Sequence, residues 1–275
     1  MSSVEHPGEP THPGADAPSR TATWACDGPA EVELHLGAGS VRVELSTDAT
    51  SLDVTVRAGR GGWRRGLADV LAALGGPQDD GTTDAALAAQ AVADTTVEGS
   101  VERRRLVVRT PRSGPARGVA LEVSVTAPSD SRVLVRTGSA STEVTGRAGW
   151  VDIGTGSGSV TVHDVTGGAQ VRTGSGDVRT GHLLGGGGVR TGAGDVVVDA
   201  ITGELDVLTG SGSVRVGIAP GTLAELDVRS GSGRTRSELP VLAQPEDEPA
   251  AARVRARTGS GDVVVHAAHA GAATG

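Results

Sequence analysis

Apolar and polar residues alternate with a period of two along most of the chain. After residue 130, apolar side chains recur two and four residues before a threonine, and again five and seven residues after it. Successive side chains of a β-strand point to opposite faces, so each alternation predicts a strand with one buried face. The pattern therefore indicates a series of short strands in pairs.

A six-residue phrase, T-G-S-G-D-V in its clearest copies, separates the strands of each pair. It starts every 18 residues from Thr137 to Thr209, then 21 residues later at Ser230 and 28 residues later at Thr258. Most units carry a second glycine twelve residues after the threonine. Each unit thus follows the order strand, glycine turn, strand, glycine turn. The repeat threonines are Thr137, Thr155, Thr173, Thr191, Thr209 and Thr258.

Two strands of about five residues cannot form a stable domain alone, so each unit needs neighbours that supply hydrogen bonds and burial. We therefore predict an all-β fold, a parallel β-solenoid (β-helix-like) with 18-residue two-strand coils and a small helical insertion. The repeat threonine is predicted to lie on the same side of its strand as the buried residues, and this indicates that it forms a structural corner. A threonine array that binds ice or sugar would need outward-facing threonines.

Composition and pattern divide the chain into five segments. Residues 1–29 are rich in Pro, Gly, Ser and acidic residues and predict a disordered leader. Residues 30–59 predict the first β coils, and residues 95–267 predict the solenoid repeat domain. Residues 60–94 interrupt the β pattern, and residues 268–275 predict a disordered tail.

The interruption at residues 60–94 has helical spacing of its apolar residues, followed by an alanine-rich stretch. It predicts a helical hairpin or two short helices. Trp and Arg are enriched at binding hot spots. The candidate partner-binding residues are therefore Trp63, Arg64 and Arg65, and the alternative is that the insertion only packs on the solenoid flank.

Charge and composition exclude several classes of protein. The net charge of −8 argues against a nucleic-acid partner, because general nucleic-acid binders are usually basic. Cys26 is the single cysteine, so an intrachain disulfide is impossible. No apolar run is long enough for a transmembrane segment, and the N-terminal residues do not resemble a signal peptide. We expect a cytoplasmic protein, with the cell surface by a non-standard route as the alternative.

The 18-residue period also matches the calcium β-roll, whose nonapeptide repeat doubles to the same length. The acidic residues do not match, because Asp177, Asp195 and Asp262 supply one carboxylate per coil on one edge. Calcium prefers six to eight oxygen ligands. We interpret these aspartates as turn caps that bond to backbone groups, and we expect no metal or other cofactor.

A second alternative is a carbohydrate-active enzyme, since lyases and hydrolases also use parallel β-helices. Asp152, Asp206 and Asp227 share one outward position and could resemble glycosidase carboxylates. The outward position just before the repeat threonine or serine often carries arginine, so a solvated face of mixed charge explains both columns, and no catalytic residue is expected. The arginines are Arg136, Arg172, Arg190, Arg229 and Arg257.

The V-R-T-G-S-G-D-V repeats, the opening AEVELHLGAGSVRVELSTDATSLDVTV and the closing ARVRARTGSGDVVVHAA resemble the bacterial putative adhesins of unknown function. These are Gly-rich β-strand-repeat proteins of actinobacterial type. The resemblance covers roughly residues 30 to 267. It implies a β-solenoid fold with no established enzymatic activity, and it supplies no catalytic residues.

The sequence thus predicts a non-catalytic β-solenoid that acts as a binding or scaffold protein. Its partner is an unknown protein or a component of the cell envelope. A secreted or surface-displayed adhesin module is the first alternative, and a carbohydrate-active β-helix enzyme is the second. The ligand and the oligomeric state are open.

Overall fold

The computed structural model of the chain describes residues 18–59, 81–240 and 250–268, with helix side chains from Ala85 onward. Its described strands belong to one large, mostly parallel sheet. The strands are β1 (Ser19–Ala25), β2 (Glu31–Ser46), β3 (Ser51–Ala58), β4 (Thr96–Ser100), β5 (Arg105–Arg109), β6 (Leu121–Pro128), β7 (Arg132–Ser157), β8 (Val160–Ser175), β9 (Val178–Leu183), β10 (Gly187–Ala193), β11 (Val196–Ile201), β12 (Glu204–Ser211), β13 (Val214–Ile218), β14 (Ala224–Ser232), β15 (Thr235–Ser237), β16 (Ala252–Ser260) and β17 (Val263–Ala267).

The long strands β2, β7 and β8 contribute to two stacks of strands that enclose one core. The front stack contains the strand segments that end at the repeat threonines. In spatial order it runs through β5, the first half of β2, the two ends of β7, the second half of β8, β10, β12, β16 and β14. The rear stack runs through β6, the second half of β2, the middle of β7, the first half of β8, β9, β11, β13, β17 and β15.

Parallel pairing places identical positions of successive repeats side by side. Val171 of β8 is the partner of Val189 of β10, which is the partner of Val207 of β12. All three side chains are fully buried. Because the same parity recurs in every repeat, the inward side chains of both stacks form one aliphatic core, as the alternation predicts.

The last two repeats are not stacked in sequence order. Thr209 of β12 is the partner of Thr258 of β16, and Thr258 is in turn the partner of Ser230 of β14. The C-terminal strands β16 and β17 therefore lie between β12–β13 and β14–β15. The spatial order of the coils at this end therefore differs from their order along the chain.

Side-chain polarity explains this order. Val254 of β16 and Val263 of β17 are fully buried, whereas Leu226 of β14 is only partly buried. In β15 the positions paired with Val263 and Val265 are the exposed Thr235 and Ser237. The coil formed by β16 and β17, whose inward side chains are apolar, thus lies inside the stack. The coil with polar inward positions covers the end, where a short polar strand discourages edge-to-edge association.

The other end of the solenoid is closed by antiparallel strands. β1 pairs with β3, β3 pairs with β6, and β4 pairs with β5. Within the predicted disordered leader 1–29, Ser19–Ala25 forms strand β1 instead, and residues 1–17 lie outside the described residues. Trp24 of β1 lies against Gly99 of β4, where an added β-carbon would meet the indole at 2.2 Å. Such aromatic cover of a strand glycine stabilises a sheet edge.

The segment 60–94 contains helix α1 (Gly81–Ala93), and residues 60–80 lie outside the described residues. Helix α1 packs against β1, β3 and the short 3-10 helix at Pro115–Gly118. Ala91 and Val92 of α1 are buried in the core. The described half of the insertion is therefore part of the closed end. Among the described residues, no helix is long and apolar enough to span a bilayer.

Candidate binding face

The predicted partner-binding residues Trp63, Arg64 and Arg65 lie outside the described residues, so their role stays a prediction. The repeat threonines lie at the corners where the front stack turns toward the rear stack. Thr137 is half-buried, and the other five are buried, as follows: Thr155, Thr173, Thr191, Thr209 and Thr258.

Five of the six repeat threonine hydroxyls bond within the scaffold, and the buried Thr155 Oγ1 has no hydrogen-bond partner among the described residues. Thr173 Oγ1 donates to the carbonyl oxygen of Ser175 at 3.1 Å, and Thr191 Oγ1 donates to that of Ala193 at 3.0 Å. Thr258 Oγ1 lies 3.0 Å from the carbonyl oxygen of Gly212 on the neighbouring coil. These buried hydroxyls bond to the backbone and are not presented to a ligand, in agreement with a structural corner.

The corner aspartates cap the backbone of the next coil. Asp177 Oδ1 accepts from the amide of Asp195 at 2.9 Å, and Asp195 Oδ1 accepts from the amide of Ser213 at 2.7 Å. Asp262 Oδ1 accepts from the amide of Arg234 at 2.8 Å. Each carboxylate thus joins neighbouring coils, which is the turn-capping role that the sequence predicts.

Ion pairs cover the outward surface of the front stack near its N-terminal end. The Glu33 carboxylate is 14% exposed and accepts from His35 Nε2 at 2.7 Å. It also accepts from Arg109 Nη2 at 3.0 Å and from Arg105 Nη2. The hydrogen bond from His35, supported by those from Arg105 and Arg109, lowers the pKa of Glu33 to about 2 against the opposing effect of burial. This part of the face is therefore closed by its own charges.

Glu33 should make the free energy of unfolding depend on pH. Its folded-state pKa is below the ordinary value, so its contribution is complete above pH 4.5 and is lost as pH falls toward 2. We expect Glu33→Gln to cost about 2 kcal/mol at pH 7 and much less near pH 2.5. Denaturant titrations at both pH values measure this. Glu143→Gln, which removes an exposed partner of Arg42, is the control; an equal pH dependence in both variants would contradict the assignment.

Trp150 is the one tryptophan among the described residues that lies on the outward surface of the front stack, and it is 38% exposed. Its strand partner is Gly168. A β-carbon at Gly168 would lie 2.5 Å from Trp150 Cζ3, so the indole rests on this glycine. The guanidinium carbon of Arg132 lies over the ring, 6.0 Å from its centroid. Trp150 therefore presents a supported aromatic surface to solvent.

Glycines form a depression beside Trp150. Gly186 follows Gly168 along the stack, and Gly188 is the strand partner of Gln170 and Asp206. Gln170 lies over Gly188, where a β-carbon would be 2.8 Å from Gln170 Oε1. The resulting space of about 340 Å³ is also lined by Arg190, Glu204 and Asp206. We call this space the Trp150 depression.

Arg172 and Arg190, which line this face of the front stack, are less fully paired than neighbouring arginines. Arg136 Nη2 lies 2.6 Å from Asp152 Oδ2. Arg172 has no ion pair or side-chain hydrogen bond within the part of the chain that the structure describes, because Gln170 and Gly188 occupy the acidic position beside it. Arg190 is the strand partner of Arg172, and its nearest carboxylate oxygen, on Asp206, is 4.0 Å away. The guanidinium group of Arg172 is therefore free to bind an anion, and that of the adjacent Arg190 forms only a long ion pair with Asp206.

Two further depressions continue this surface. One of about 510 Å³ is lined by Gly154, Arg172, Arg190 and Leu208, and Leu208 is 47% exposed. It adjoins the Trp150 depression at Arg190. A third of about 530 Å³ adjoins it at Gly154 and is lined by Arg112, Arg117 and Arg136. We call these three depressions together the front groove.

The front groove combines a supported indole, an exposed leucine and several arginines. An indole stacks on flat or apolar ligand surfaces, and a guanidinium forms paired hydrogen bonds with carboxylate or phosphate. Sequence reasoning identified the arginine column but missed Trp150. The available signal was a tryptophan at an outward position, followed one coil later by glycine at the same position.

The family model described as Toastrack DUF4097 matches residues 121–271, which include Trp150, Arg172 and Arg190. Its fold is β-solenoid-like, as the sequence predicts. No curated protein matches the chain.

Several solved structures are similar. A putative cell adhesion protein from Clostridium sporogenes is 11% identical, with 90% of this chain and 99% of that chain covered and a TM-score of 0.41. A putative adhesin from Bacteroides fragilis is 11% identical, with 90% and 96% covered and a TM-score of 0.41. A putative lipid binding protein from Parabacteroides distasonis is 11% identical, with 90% and 97% covered and a TM-score of 0.35.

The matched segment spans more than half of the chain and contains most of the front and rear stacks. The chain belongs to the Toastrack DUF4097 family.

Proposed function

We propose that this protein is a non-catalytic binding or scaffold protein and that the front groove around Trp150 is its binding surface. The observation that carries the proposal is the exposed indole on Gly168, in a groove that also contains the unpaired guanidinium group of Arg172. Trp and Arg contribute most strongly to binding where they are already well positioned. Trp150 is positioned in this way because Gly168 and Arg132 hold its ring.

The outward aspartates support binding without catalysis. A glycosidase needs a carboxylic acid whose pKa is raised, so that it can protonate the leaving group. The pKa of Asp227 is instead lowered, mainly by the hydrogen bond from Arg257. Asp152 is held by Arg136. These carboxylates act as ion-pair partners for arginine, which disfavours the alternative of a carbohydrate-active enzyme.

We further propose the 18-residue two-strand coil as the repeating unit of the fold. It is supported by the pairing of Thr155 with Thr173, of Thr173 with Thr191 and of Thr191 with Thr209. The long separation between Thr209 and its partner Thr258 reflects the displaced C-terminal coil. The resemblance to Gly-rich putative adhesins of actinobacterial type stays a prediction.

The binding proposal is tested with a cell-envelope fraction of the native cells. We expect Trp150→Ala to reduce co-sedimentation with that fraction at least about tenfold, because the stacking surface is lost. The control is Val101→Ala, which removes an exposed apolar side chain away from the groove. Circular dichroism melts confirm that both variants are folded. Equal co-sedimentation of the two variants would contradict the proposal.

Trp63→Ala with Arg64→Ala tests the remaining candidate from the sequence. If the insertion is the recognition element, this double variant and not Trp150→Ala loses co-sedimentation. The competing structural role predicts a lower melting temperature with unchanged co-sedimentation. The two tryptophan variants therefore assign the binding surface in one assay.

The compartment is also a proposal. The single cysteine, Cys26, is buried and free, which suits a reducing cytoplasm. Display at the cell surface is the alternative, and it would give the front groove direct access to envelope components. Protease treatment of intact cells, followed by detection of the protein, separates the two locations.

A further inference from the structure

We propose that the front groove binds a linear acidic polysaccharide whose sugars carry carboxylate groups, with the chain running along the solenoid axis. This inference rests on the proposed function and specifies its ligand. It also favours the surface-displayed alternative, since such polysaccharides are found at cell surfaces. The argument uses the charge of the groove, its direction and the position of Trp150.

The groove concentrates positive charge on an acidic protein. The whole chain has a net charge of −8, yet Arg112, Arg117, Arg172 and Arg190 line adjoining depressions on one surface. Arg112, Arg117 and Arg172 have no side-chain ion pair in the described part of the chain. A basic surface on an otherwise acidic protein attracts an anion, and the acidic remainder of the protein repels it.

The arginines form a row parallel to the stacking direction. Arg172 and Arg190 are direct strand partners, and adjacent strands are about 4.8 Å apart. That distance is close to the length of one pyranose residue in an extended glycan. A chain with one carboxylate per sugar can therefore present successive carboxylates to successive guanidinium groups. Gly154 carries no side chain between Arg136 and Arg172, and the side chain of Arg136 lies over it and extends the row.

Trp150 favours a sugar over other anions. Its indole contacts Gly168 and is 38% exposed, and this exposed apolar ring surface suits the C–H face of a pyranose. Gln170 beside it has an amide that can bond to hydroxyl groups. A single-stranded nucleic acid would use several aromatic platforms for successive bases, and the groove has one within the described residues. The depressions are open to solvent and adjoin one another, which suits a polymer better than an enclosed small molecule.

The test uses oligogalacturonate as the acidic probe and its methyl-esterified form as the neutral control. A Trp24→Phe, Trp63→Phe protein leaves Trp150 as the sole tryptophan, so its fluorescence reports binding at the groove. We expect a saturable change with oligogalacturonate that weakens as salt rises, because screening reduces charge attraction. The esterified probe should bind at least about tenfold more weakly.

Arginine variants of the same protein identify the surface. Arg172→Gln with Arg190→Gln should weaken oligogalacturonate binding at least about tenfold. Arg215→Gln is the matched control, since Arg215 is exposed on β13 of the rear stack. Equal affinity for the two probes, tighter binding of single-stranded DNA, or equal loss in the Arg215 control would overturn the assignment of the ligand.

The two proposals fail in different ways. If oligogalacturonate does not bind while Trp150→Ala still abolishes envelope co-sedimentation, the acidic polysaccharide is wrong and the binding surface stands. If Trp150→Ala and the arginine variants leave both assays unchanged, the binding surface itself is wrong. Melting curves of every variant exclude loss of folding as the cause.

Discussion

Removal of residues 250–275 is expected to destabilise the whole C-terminal half of the solenoid. These residues contain β16 and β17, which lie inside the stack and hold β14 and β15 against it. Their loss leaves Val207 and Val216 without neighbours on one side and removes the buried Val254 and Val263. We expect a loss of more than about 5 kcal/mol and a broader unfolding transition, measured by thermal circular dichroism.

Two matched point variants test the spatial order of the last coils and disturb the fold less than the deletion does. Leu226 of β14 and Val254 of β16 are strand partners at equivalent inward positions. Val254→Ala should cost about 2 kcal/mol, because the side chain is fully buried, and Leu226→Ala should cost about half as much. If the coils stacked in sequence order, Val254 would be terminal and Leu226 would be internal. The reverse ranking of the two variants would therefore contradict the displaced coil.

Gly39→Ala is expected to have the second large effect. Gly39 lies at the corner within β2 with a φ of 122°, a conformation that residues with a side chain rarely adopt. An added β-carbon would lie 1.9 Å from the carbonyl oxygen of Leu121, which is backbone and cannot rotate away. We expect a loss of more than about 3 kcal/mol in the free energy of unfolding, measured by denaturant titration.

Gly118→Ala is the control for this effect. Gly118 ends the short 3-10 helix, and nothing lies within 4 Å of its added β-carbon. Its replacement should change the free energy of unfolding by less than about 1 kcal/mol. Similar losses at Gly39 and Gly118 would show that the corner of β2 does not constrain the backbone in this way.

Much of the fold could be predicted because its determinants are local. The parity of valines and threonines identifies the inward face, and the corner glycines identify the turns, as at Thr173 and Thr191. The order of the last coils depends on a comparison between distant segments, where Val254 is more easily buried than the polar residues of β15. Strand β1 was missed because its polar, small residues give little signal until they pair with β3.

The binding face could be predicted only in part. The columns of aspartate and arginine are visible in the sequence, but their pairing depends on which residue lies on the adjacent coil. Arg136 finds Asp152, whereas Arg172 has Gln170 and Gly188 beside it. Likewise, Trp150 becomes a supported platform only because parallel pairing places Gly168 beneath it. Trp63, the candidate that the sequence favoured, stays a prediction.

The most direct measurement is acrylamide quenching of Trp150 in the Trp24→Phe, Trp63→Phe protein, with and without solubilised envelope material. Trp150 is exposed in the free protein and should be quenched readily. If the front groove is the binding surface, bound material covers the indole and the quenching constant falls as binding saturates. An unchanged quenching constant while the protein still binds the material would contradict the central claim, because binding would then take place elsewhere on the molecule.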